Sequence, residues 1–431
     1  MEEITIIGAG LAGSEAALQL ADRGFPVNLH EMRPDTTTPA HRTGLPAELV
    51  CSNSLRSDLV RNAPGLLKEE LRRAGSMLIR AADSARIPAG GALAVDREAF
   101  SSAVLAMLRS HGNIRLIPGE VRCIPGGNVI IAAGPLASPA LSRVIGEITG
   151  GEFLYFYDAI APVVSGESLD MGKVFSQNRY SDGDDGDYLN CPFSRDEYLD
   201  FVSELRSGER VAPREFETEV HFQGCMPVEA IADGGEMSLA FGPMKPVGIV
   251  DPATGKRPFA VVQLRRENLS GSAWNLVGFQ TKLSYPEQKR VFRMIPGLEK
   301  AEFLRLGSMH RNTFIHGPML LDRSMRLKGC PRIRFAGQIT GVEGYIESVA
   351  SGFMAGLLAA GCEPPPAGTA LGALLHFSTD REEENYQPSN INYGLFPDMR
   401  VSGGRRFRRE ARAAAALKEL APWVQRLQER E

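Results

Sequence analysis

The amino-acid sequence predicts an α/β protein in which a second unit, of α+β type, is inserted into a parallel-sheet domain. At the start of the 431-residue chain, an apolar strand runs into a glycine-rich turn and a helix. A similar strand and turn return at residues 333–341. Between them, residues 151–330 show irregular short strands with scattered Gly, Pro and aromatic residues. We therefore expect one domain from 1–150 and 331–431, and an insertion domain at 151–330.

The first elements are a strand in EITIIGAG, a helix in LAGSEAALQLADRG and a strand in FPVNLHEMR. The turn between the first strand and the helix has the GxGxxG spacing of a Rossmann-type dinucleotide site, formed by Gly8, Ala9, Gly10, Leu11, Ala12 and Gly13. In such a loop the glycines allow a tight turn and close approach of a pyrophosphate to the helix N-terminus. Glu31, at the end of the next strand, is placed to accept a hydrogen bond from a ribose hydroxyl.

Two later turns favour FAD over NAD as the dinucleotide. The strand NVIIAAGP ends at Ala133 and Gly134, and the strand IRFAGQ ends at Gly337 and Gln338. In flavoproteins with two connected Rossmann-like lobes, a turn of the second kind closes over the flavin. A second GxGxxG motif is absent, so the sequence does not predict a separate domain for NADPH.

Other segments have weaker patterns. We expect a helix over residues 48–58 and another over 64–83, where Pro64 is suited to a first turn. The remaining expected elements are strands at 113–118, 120–125 and 128–134, a helix in 344–361 and a charged helix from Phe407 to Glu431.

Charge and cysteine usage limit the function classes. The net charge is −4, but the stretch from Lys256 to Arg334 holds five Lys and eleven Arg against four Glu and one Asp. A second basic run extends from Arg405 to Lys418. Such segments form either a phosphate-binding face or an ordinary solvated surface.

The six cysteines are widely spaced and no secretory signal is evident, which predicts a cytoplasmic protein with free thiols. We expect no membrane span, no metal site and no obligate protein partner.

Long segments of the chain resemble the folate-dependent tRNA (uracil-5-)-methyltransferase family. They include ITIIGAGLAGSEAA, TPAHRTGLPAELVCSNSLRSD, IPAGGALAVDREAF, FGPMKPVGIVDPATGK and GQITGVEGYIESVASG. The resemblance covers nearly the whole chain. It implies bound FAD, methylenetetrahydrofolate as carbon donor, NADH or NADPH as reductant, and a uridine in RNA as acceptor, usually the T-loop uridine of tRNA.

This chemistry needs a cysteine, because carbon 5 of uracil becomes nucleophilic when a thiolate adds to carbon 6. Cys225, in the loop HFQGCMPVE, is the first choice for that nucleophile, with His221 or Glu229 as possible proton carriers. Cys51 is the other candidate, with Arg56 close in sequence. Both positions match functional cysteines of the family, and the sequence does not divide the roles between them. Gln223 departs from the family pattern, in which an acidic residue often precedes the Gly-Cys pair.

Further residues have two interpretations each. Tyr345 either stacks near flavin or folate or simply packs at a helix start. His310, Arg311 and Asn312 either contact folate or RNA or lie on an ordinary surface. Three other functions stay open: the same chemistry on ribosomal RNA, the wobble-uridine modification flavoprotein, whose family is longer, and a flavin-binding RNA module without transfer chemistry.

Overall fold

The computed structural model describes residues 1–38, 40–151, 154–179, 186–211, 226–380, 386–399 and 402–429, without the side chains of 154–158, 310 and 311. Its helices and strands are numbered below in chain order. Among the described residues, no helix is both long and apolar enough to cross a membrane.

A six-stranded sheet forms the first half of the architecture. Its strands are β1 (Ile4–Ile7), β2 (Val27–Glu31), β6 (Ile114–Pro118), β7 (Asn128–Ile131), β16 (Arg326–Leu327) and β17 (Cys330–Phe335). They lie in the order β16-β17-β7-β1-β2-β6, and every neighbouring pair is parallel except β16 with β17. Val129, Ile130, Ile131 and the other central positions are almost fully buried, as expected for a sheet covered on both faces.

Helices pack around this sheet. They are α1 (Leu11–Asp22), α2 (Ala63–Arg73), α3 (Met77–Ser84), α4 (Arg97–Ser110), α5 (Pro139–Thr149), α10 (Gly317–Leu320), α11 (Tyr345–Ala359), α12 (Ala370–Thr379) and α13 (Arg405–Gln428). A small antiparallel sheet, β3 (Ser54–Ser57), β4 (Arg86–Ile87) and β5 (Ala92–Val95), lies beside them. The tightest helix contact is between α1 and α11, where a Cβ on Gly352 would lie 2.1 Å from the carbonyl oxygen of Ala12.

The second large sheet is antiparallel and is built from β9 (Val163–Ser165), β10 (Phe175–Ser176), β11 (Tyr188–Phe193), β12 (Ala260–Arg266), β13 (Ala273–Leu276) and β14 (Phe303–Arg305). Its separate apolar core includes residues from α6 (Arg195–Ser207), α7 (Val228–Asp233), α8 (Ser238–Phe241) and α9 (Tyr285–Phe292). Two paired strands, β8 (Leu154–Ala159) and β15 (Met309–Phe314), lie in the chain before and after this unit. The predicted fold class is confirmed, while the domain boundaries near 150 and 331 stay a prediction.

Three local predictions are wrong. Residues 48–58 form a loop followed by β3. Their backbone groups find hydrogen-bond partners far away in the sequence instead of four residues away, as in a helix. The helix expected over 64–83 is two helices, separated at Gly75, whose φ of 86° no helix accommodates. Residues 120–125 follow β6 as irregular chain instead of forming a strand. The final helix, α13, runs from Arg405 to Gln428, close to the predicted range.

Candidate functional site

A cavity lies at the carboxyl ends of the parallel strands. In open α/β sheets this edge is where ligands bind. Ten of the residues predicted to bind the cofactor line it: Gly8, Gly10, Leu11, Ala12, Glu31, Ala133, Gly134, Gly337, Gln338 and Tyr345. The other two, Ala9 and Gly13, belong to the same glycine loop but do not line the cavity.

The glycine loop has the shape of a phosphate cradle. Gly8 has a φ of 102°, and a Cβ there would lie 2.7 Å from the carbonyl oxygen of Ala132. A Cβ on Gly13 would lie only 1.8 Å from the carbonyl oxygen of Gly8, whereas Gly10 has open space around it. Among the described residues, no side chain caps the N-terminus of α1. Its backbone N–H groups and positive dipole end therefore suit an anionic ligand such as a pyrophosphate.

Glu31 lines the cavity and also holds the glycine loop. Its Oε2 atom accepts a hydrogen bond from the backbone N–H of Ala9 at 3.0 Å. Its Oε1 atom accepts from the Nε of buried Arg33 at 2.9 Å, and Arg33 also reaches Glu48 at 3.0 Å. Burial raises the pKa of Glu31, but the hydrogen bonds and charge of Arg33 outweigh burial and keep the pKa below its usual value. A carboxylate fixed in the ionised form is a strong acceptor for a hydroxyl.

The turn after β17 forms another part of the cavity wall. Gly337, with a φ of 84°, donates its N–H to the hydroxyl of Ser351 on α11 at 2.8 Å. Gln338 donates from Nε2 to Glu343 at 2.5 Å. Because β17 and β1 both flank β7, their turns reach one cavity although more than 300 residues separate them in sequence. The two turns therefore belong to one binding cavity along the strand ends.

Cys51 lies next to Tyr345 at the N-terminus of α11. The hydroxyl oxygen of Tyr345 accepts hydrogen bonds from the backbone N–H groups of Cys51, at 2.6 Å, and Ser52, at 3.2 Å. The Cys51 thiol lies 3.7 Å from the carbonyl oxygen of Ala159 and is partly exposed. Burial and the neighbouring Cys51 raise the pKa of Tyr345, so its hydroxyl stays protonated. The sequence-predicted cysteine and tyrosine therefore meet at the cofactor cavity.

Two arginines that sequence reasoning missed support the Cys51 loop. Arg97 is hydrogen-bonded to the carbonyls of Leu49 and Cys51, and its Nε lies 2.5 Å from a carboxylate oxygen of Glu267. Arg305 donates to the carbonyls of Val50 and Cys51, each at 3.0 Å. Burial and the charge of Arg97 lower the pKa of Arg305 to about 10. No spacing links these arginines to Cys51 in sequence, so only the folded chain brings them together.

Arg56 was expected to assist Cys51 but is bonded elsewhere. Its Nη1 atom lies 3.3 Å from Glu347 on α11. The remaining cysteines differ in exposure: Cys191 and Cys362 are buried, Cys330 is partly buried, and Cys123 is exposed. Burial raises the pKa of Cys191, which makes that thiol unreactive.

Cys225, His221 and Gln223 lie outside the described residues, so their predicted roles stay untested. Glu229, the other proposed proton carrier, is fully buried on α7 and accepts hydrogen bonds from Thr281 at 3.1 Å and the N–H of Lys282 at 2.5 Å. Burial raises its pKa. Asn312 is buried on β15, which excludes an ordinary surface position for its side chain. Within the described ranges, no group of three His, Cys, Asp or Glu residues is arranged to hold a metal ion.

Comparison with known proteins identifies a family to which the chain is similar. Residues 3–362 match the family model of glucose inhibited division protein A. The chain is 57% identical over 432 residues to the methylenetetrahydrofolate–tRNA-(uracil-5-)-methyltransferase TrmFO of Pelobacter propionicus, covering 98% of this chain and 95% of that protein. It is 57% identical over 428 residues to the enzyme of the same name from Geobacter sulfurreducens, covering 98% of each chain.

Solved structures support the fold alone. The chain is similar to Aquifex aeolicus GidA in two crystal forms. The form II structure has a TM-score of 0.68 at 16% identity, covering 98% of this chain and 73% of that chain. The form I structure has a TM-score of 0.67 at 15% identity, covering 99% and 78%.

Proposed function

This chain belongs to the TrmFO family of methylenetetrahydrofolate–tRNA-(uracil-5-)-methyltransferases, and from that membership we propose that it methylates carbon 5 of a uridine in tRNA. Methylenetetrahydrofolate is the carbon donor and FAD is the resident cofactor. The observation that carries the proposal is the cavity at the strand ends, which is lined by the glycine loop and adjoins Cys51. NADH or NADPH as the source of electrons, and a cytoplasmic location, belong to the same proposal.

The residues around the cavity suit FAD. The glycine loop and the N-terminus of α1 would hold the pyrophosphate, and Glu31 would accept a ribose hydroxyl. Gly337 and Gln338, together with Ala133 and Gly134, would enclose the flavin end. When bound and reduced, the flavin supplies the electrons that convert a transferred methylene group into a methyl group.

The chain's own chemistry is covalent. We assign the nucleophile to Cys225, whose thiolate forms a bond to carbon 6 of the uracil and makes carbon 5 an enolate-like nucleophile. Carbon 5 then bonds to the methylene carbon as one of the two bonds from that carbon to folate nitrogens breaks. Loss of the proton on carbon 5 breaks the second carbon–nitrogen bond and releases the folate, which leaves a methylene group on the ring. Addition of a hydride to that methylene group, with departure of the Cys225 thiolate from carbon 6, gives the methyl group and restores the double bond between carbons 5 and 6. Cys51, held beside Tyr345, is positioned to receive or guide the proton from carbon 5.

The test compares three cysteine variants with the parent protein on a T-loop RNA. Cys225→Ala is expected to abolish ribothymidine formation and to retain the yellow flavin. Cys51→Ala is expected to slow the reaction, and Cys123→Ala, an exposed cysteine outside the cavity, serves as the matched control. Full activity of Cys225→Ala contradicts the nucleophile assignment.

A fluorinated substrate separates the two cysteine roles. In RNA with 5-fluorouridine at the target position, the fluorine cannot leave as a proton does, so the carbon 6 adduct accumulates. Mass spectrometry of the digested complex is expected to find the nucleotide on the peptide that contains Cys225. A nucleotide on the Cys51 peptide would reverse the assignment. Parallel assays with tRNA and ribosomal RNA fragments decide the RNA class.

A further inference from the structure

A second concave surface lies beside the Cys51 loop and is strongly basic. Two adjoining depressions share Tyr393 and Arg409 in their walls and form one groove. We call it the arginine groove and define it by Arg56, Tyr393, Arg405, Arg408, Arg409 and Arg412. The cofactor cavity contains none of these residues, so the groove is a separate feature of the surface.

The basic side chains of α13 are ordered along one side of the helix. Arg405, Arg408, Arg409 and Arg412 follow the spacing of residues that share a helix face. At 1.5 Å per residue they extend over about 10 Å. Further along α13, Ala413, Ala416, Leu420, Trp423 and Leu427 are buried close to the same side of the helix, so their packing holds the helix and fixes the direction in which the arginines point.

Neighbouring groups orient some of these arginines and leave others available. Arg412 donates to the carbonyl of Tyr393 at 3.2 Å and lies over its ring at 6.0 Å. Arg409 donates to Asn62 at 3.2 Å. Within the described part of the chain, Arg405 and Arg408 are exposed and form no ion pair, whereas Arg406 pairs with Glu410. The groove therefore combines fixed and free positive charges.

The inner end of the groove is tied to the cofactor cavity through α11. Tyr345 contacts the Cys51 loop, and Glu347, two residues later, is fully buried. One carboxylate oxygen of Glu347 accepts from Arg56 at 3.3 Å and from the backbone N–H of Ile391 at 3.0 Å. Its other oxygen has no partner among the described residues. One end of the groove is thus linked through α11 to the place where Cys51 is held.

We propose that the arginine groove binds the phosphodiester backbone of the RNA substrate outside the target nucleotide. This inference rests on the proposed function, because it takes the RNA as substrate. A row of guanidinium groups about 10 Å long suits successive phosphates of one strand better than a single small anion. Tyr393 is already packed against Arg412 and Phe396, so the groove offers phosphate contacts rather than a base-stacking platform.

The test measures binding of the full chain to a T-arm stem–loop RNA over a series of salt concentrations. The double variant Arg405→Gln with Arg408→Gln is compared with Arg109→Gln with Arg143→Gln. The control removes two exposed arginines from α4 and α5, outside the groove. Since each lost phosphate contact lowers the salt slope by about 1, the groove variant is expected to lose about 2 from that slope. Its Kd is expected to rise roughly tenfold or more.

Activity data separate this inference from the proposed function. We expect the groove variant to show a raised KM for RNA with an unchanged kcat, because saturating RNA restores the complex. Equal losses of RNA affinity in the groove and control variants, or an unchanged salt slope, would contradict the proposal that the arginine groove binds RNA. If the parent protein binds RNA through the groove but forms no ribothymidine, the proposed function is wrong, whereas the proposal that the groove binds RNA is supported.

Discussion

At the scale of single residues, one hydroxyl joins the cofactor cavity to the reactive loop. Tyr345 accepts hydrogen bonds from two consecutive backbone N–H groups, those of Cys51 and Ser52. A phenylalanine at this position would lack the hydroxyl oxygen and would leave both N–H groups without this acceptor. The position of the Cys51 thiol therefore depends on a side chain that lies 294 residues further along the chain.

We expect Tyr345→Phe to lower the methylation rate roughly tenfold while flavin content is preserved. The two N–H groups lose their acceptor, which costs about 1–3 kcal/mol and loosens the Cys51 loop. Single-turnover methylation and flavin absorbance measure the two effects. Tyr188→Phe, whose hydroxyl bonds to the carbonyl of Ala89 away from the cavity, is the matched control. A rate for Tyr345→Phe equal to that of the control would contradict this role.

At the scale of elements, buried carboxylates join helices that are distant in sequence. Glu70 on α2 accepts hydrogen bonds from the N–H groups of Ala370, at 2.8 Å, and Leu371, at 2.9 Å, at the start of α12. Burial raises the pKa of Glu70 to about 8, against the lowering effect of these donors. Between pH 4.5 and about pH 8, the carboxyl is therefore mostly neutral in the folded protein and mostly ionised in the unfolded chain.

This pKa predicts a pH dependence of stability. With a folded pKa near 8 and an ordinary value of 4.5, the contribution of Glu70 is complete below pH 4.5 and is lost as the pH rises towards 8. Glu70→Gln is expected to remove that slope, about 1.4 kcal/mol per pH unit within the window. Urea unfolding midpoints at pH 5, 6, 7 and 8 measure it. Glu69→Gln changes the preceding residue, which is paired with Arg73, and should retain the slope of the parent protein. Loss of the slope in Glu69→Gln would contradict its assignment to Glu70.

Local pattern and long-range contact explain which elements the sequence predicts. The strand, glycine loop and helix at residues 4–22 follow from short-range spacing, and the structure reproduces them. The segment 48–58 contains helix-compatible residues, yet it forms a loop and β3 because Arg97, Arg305 and Tyr345 take its backbone groups. Those partners leave no local signal. Ten of the cavity-lining positions were predictable from motifs, whereas other lining residues, such as Arg33 and Glu48, and the supporting arginines were not.

At the scale of the whole molecule, an ion pair connects the two large sheets through their neighbouring elements. Arg97 begins α4 beside the parallel-sheet half, and Glu267 follows β12 of the antiparallel sheet. Only 9% of the Glu267 side chain is exposed, so the pair is shielded from solvent. Because Arg97 also bonds to the Cys51 loop, the relation between the halves and the geometry of the site depend on the same guanidinium.

We expect Glu267→Gln to lower the free energy of unfolding by about 2 kcal/mol and to reduce methylation. The substitution leaves the Arg97 charge partly buried without its partner, which is costly. Thermal unfolding and initial rates measure the two effects. Glu299→Gln breaks the exposed pair with Lys173 within the antiparallel half and should lower the free energy of unfolding much less than Glu267→Gln does. Similar losses in both variants would show that shielding is unimportant here.

The position of β17 in the sheet has a consequence for the timing of biogenesis. The wall formed by Gly337 and Gln338 follows a strand that ends at Phe335, and that strand adds to β7 only after the antiparallel unit has been made. A ribosome must therefore translate more than three quarters of the message before the cofactor cavity has all its sides. The glycine loop is synthesised well before that point, but the complete FAD site is not. We therefore expect each newly made molecule to bind FAD late in its synthesis or after it.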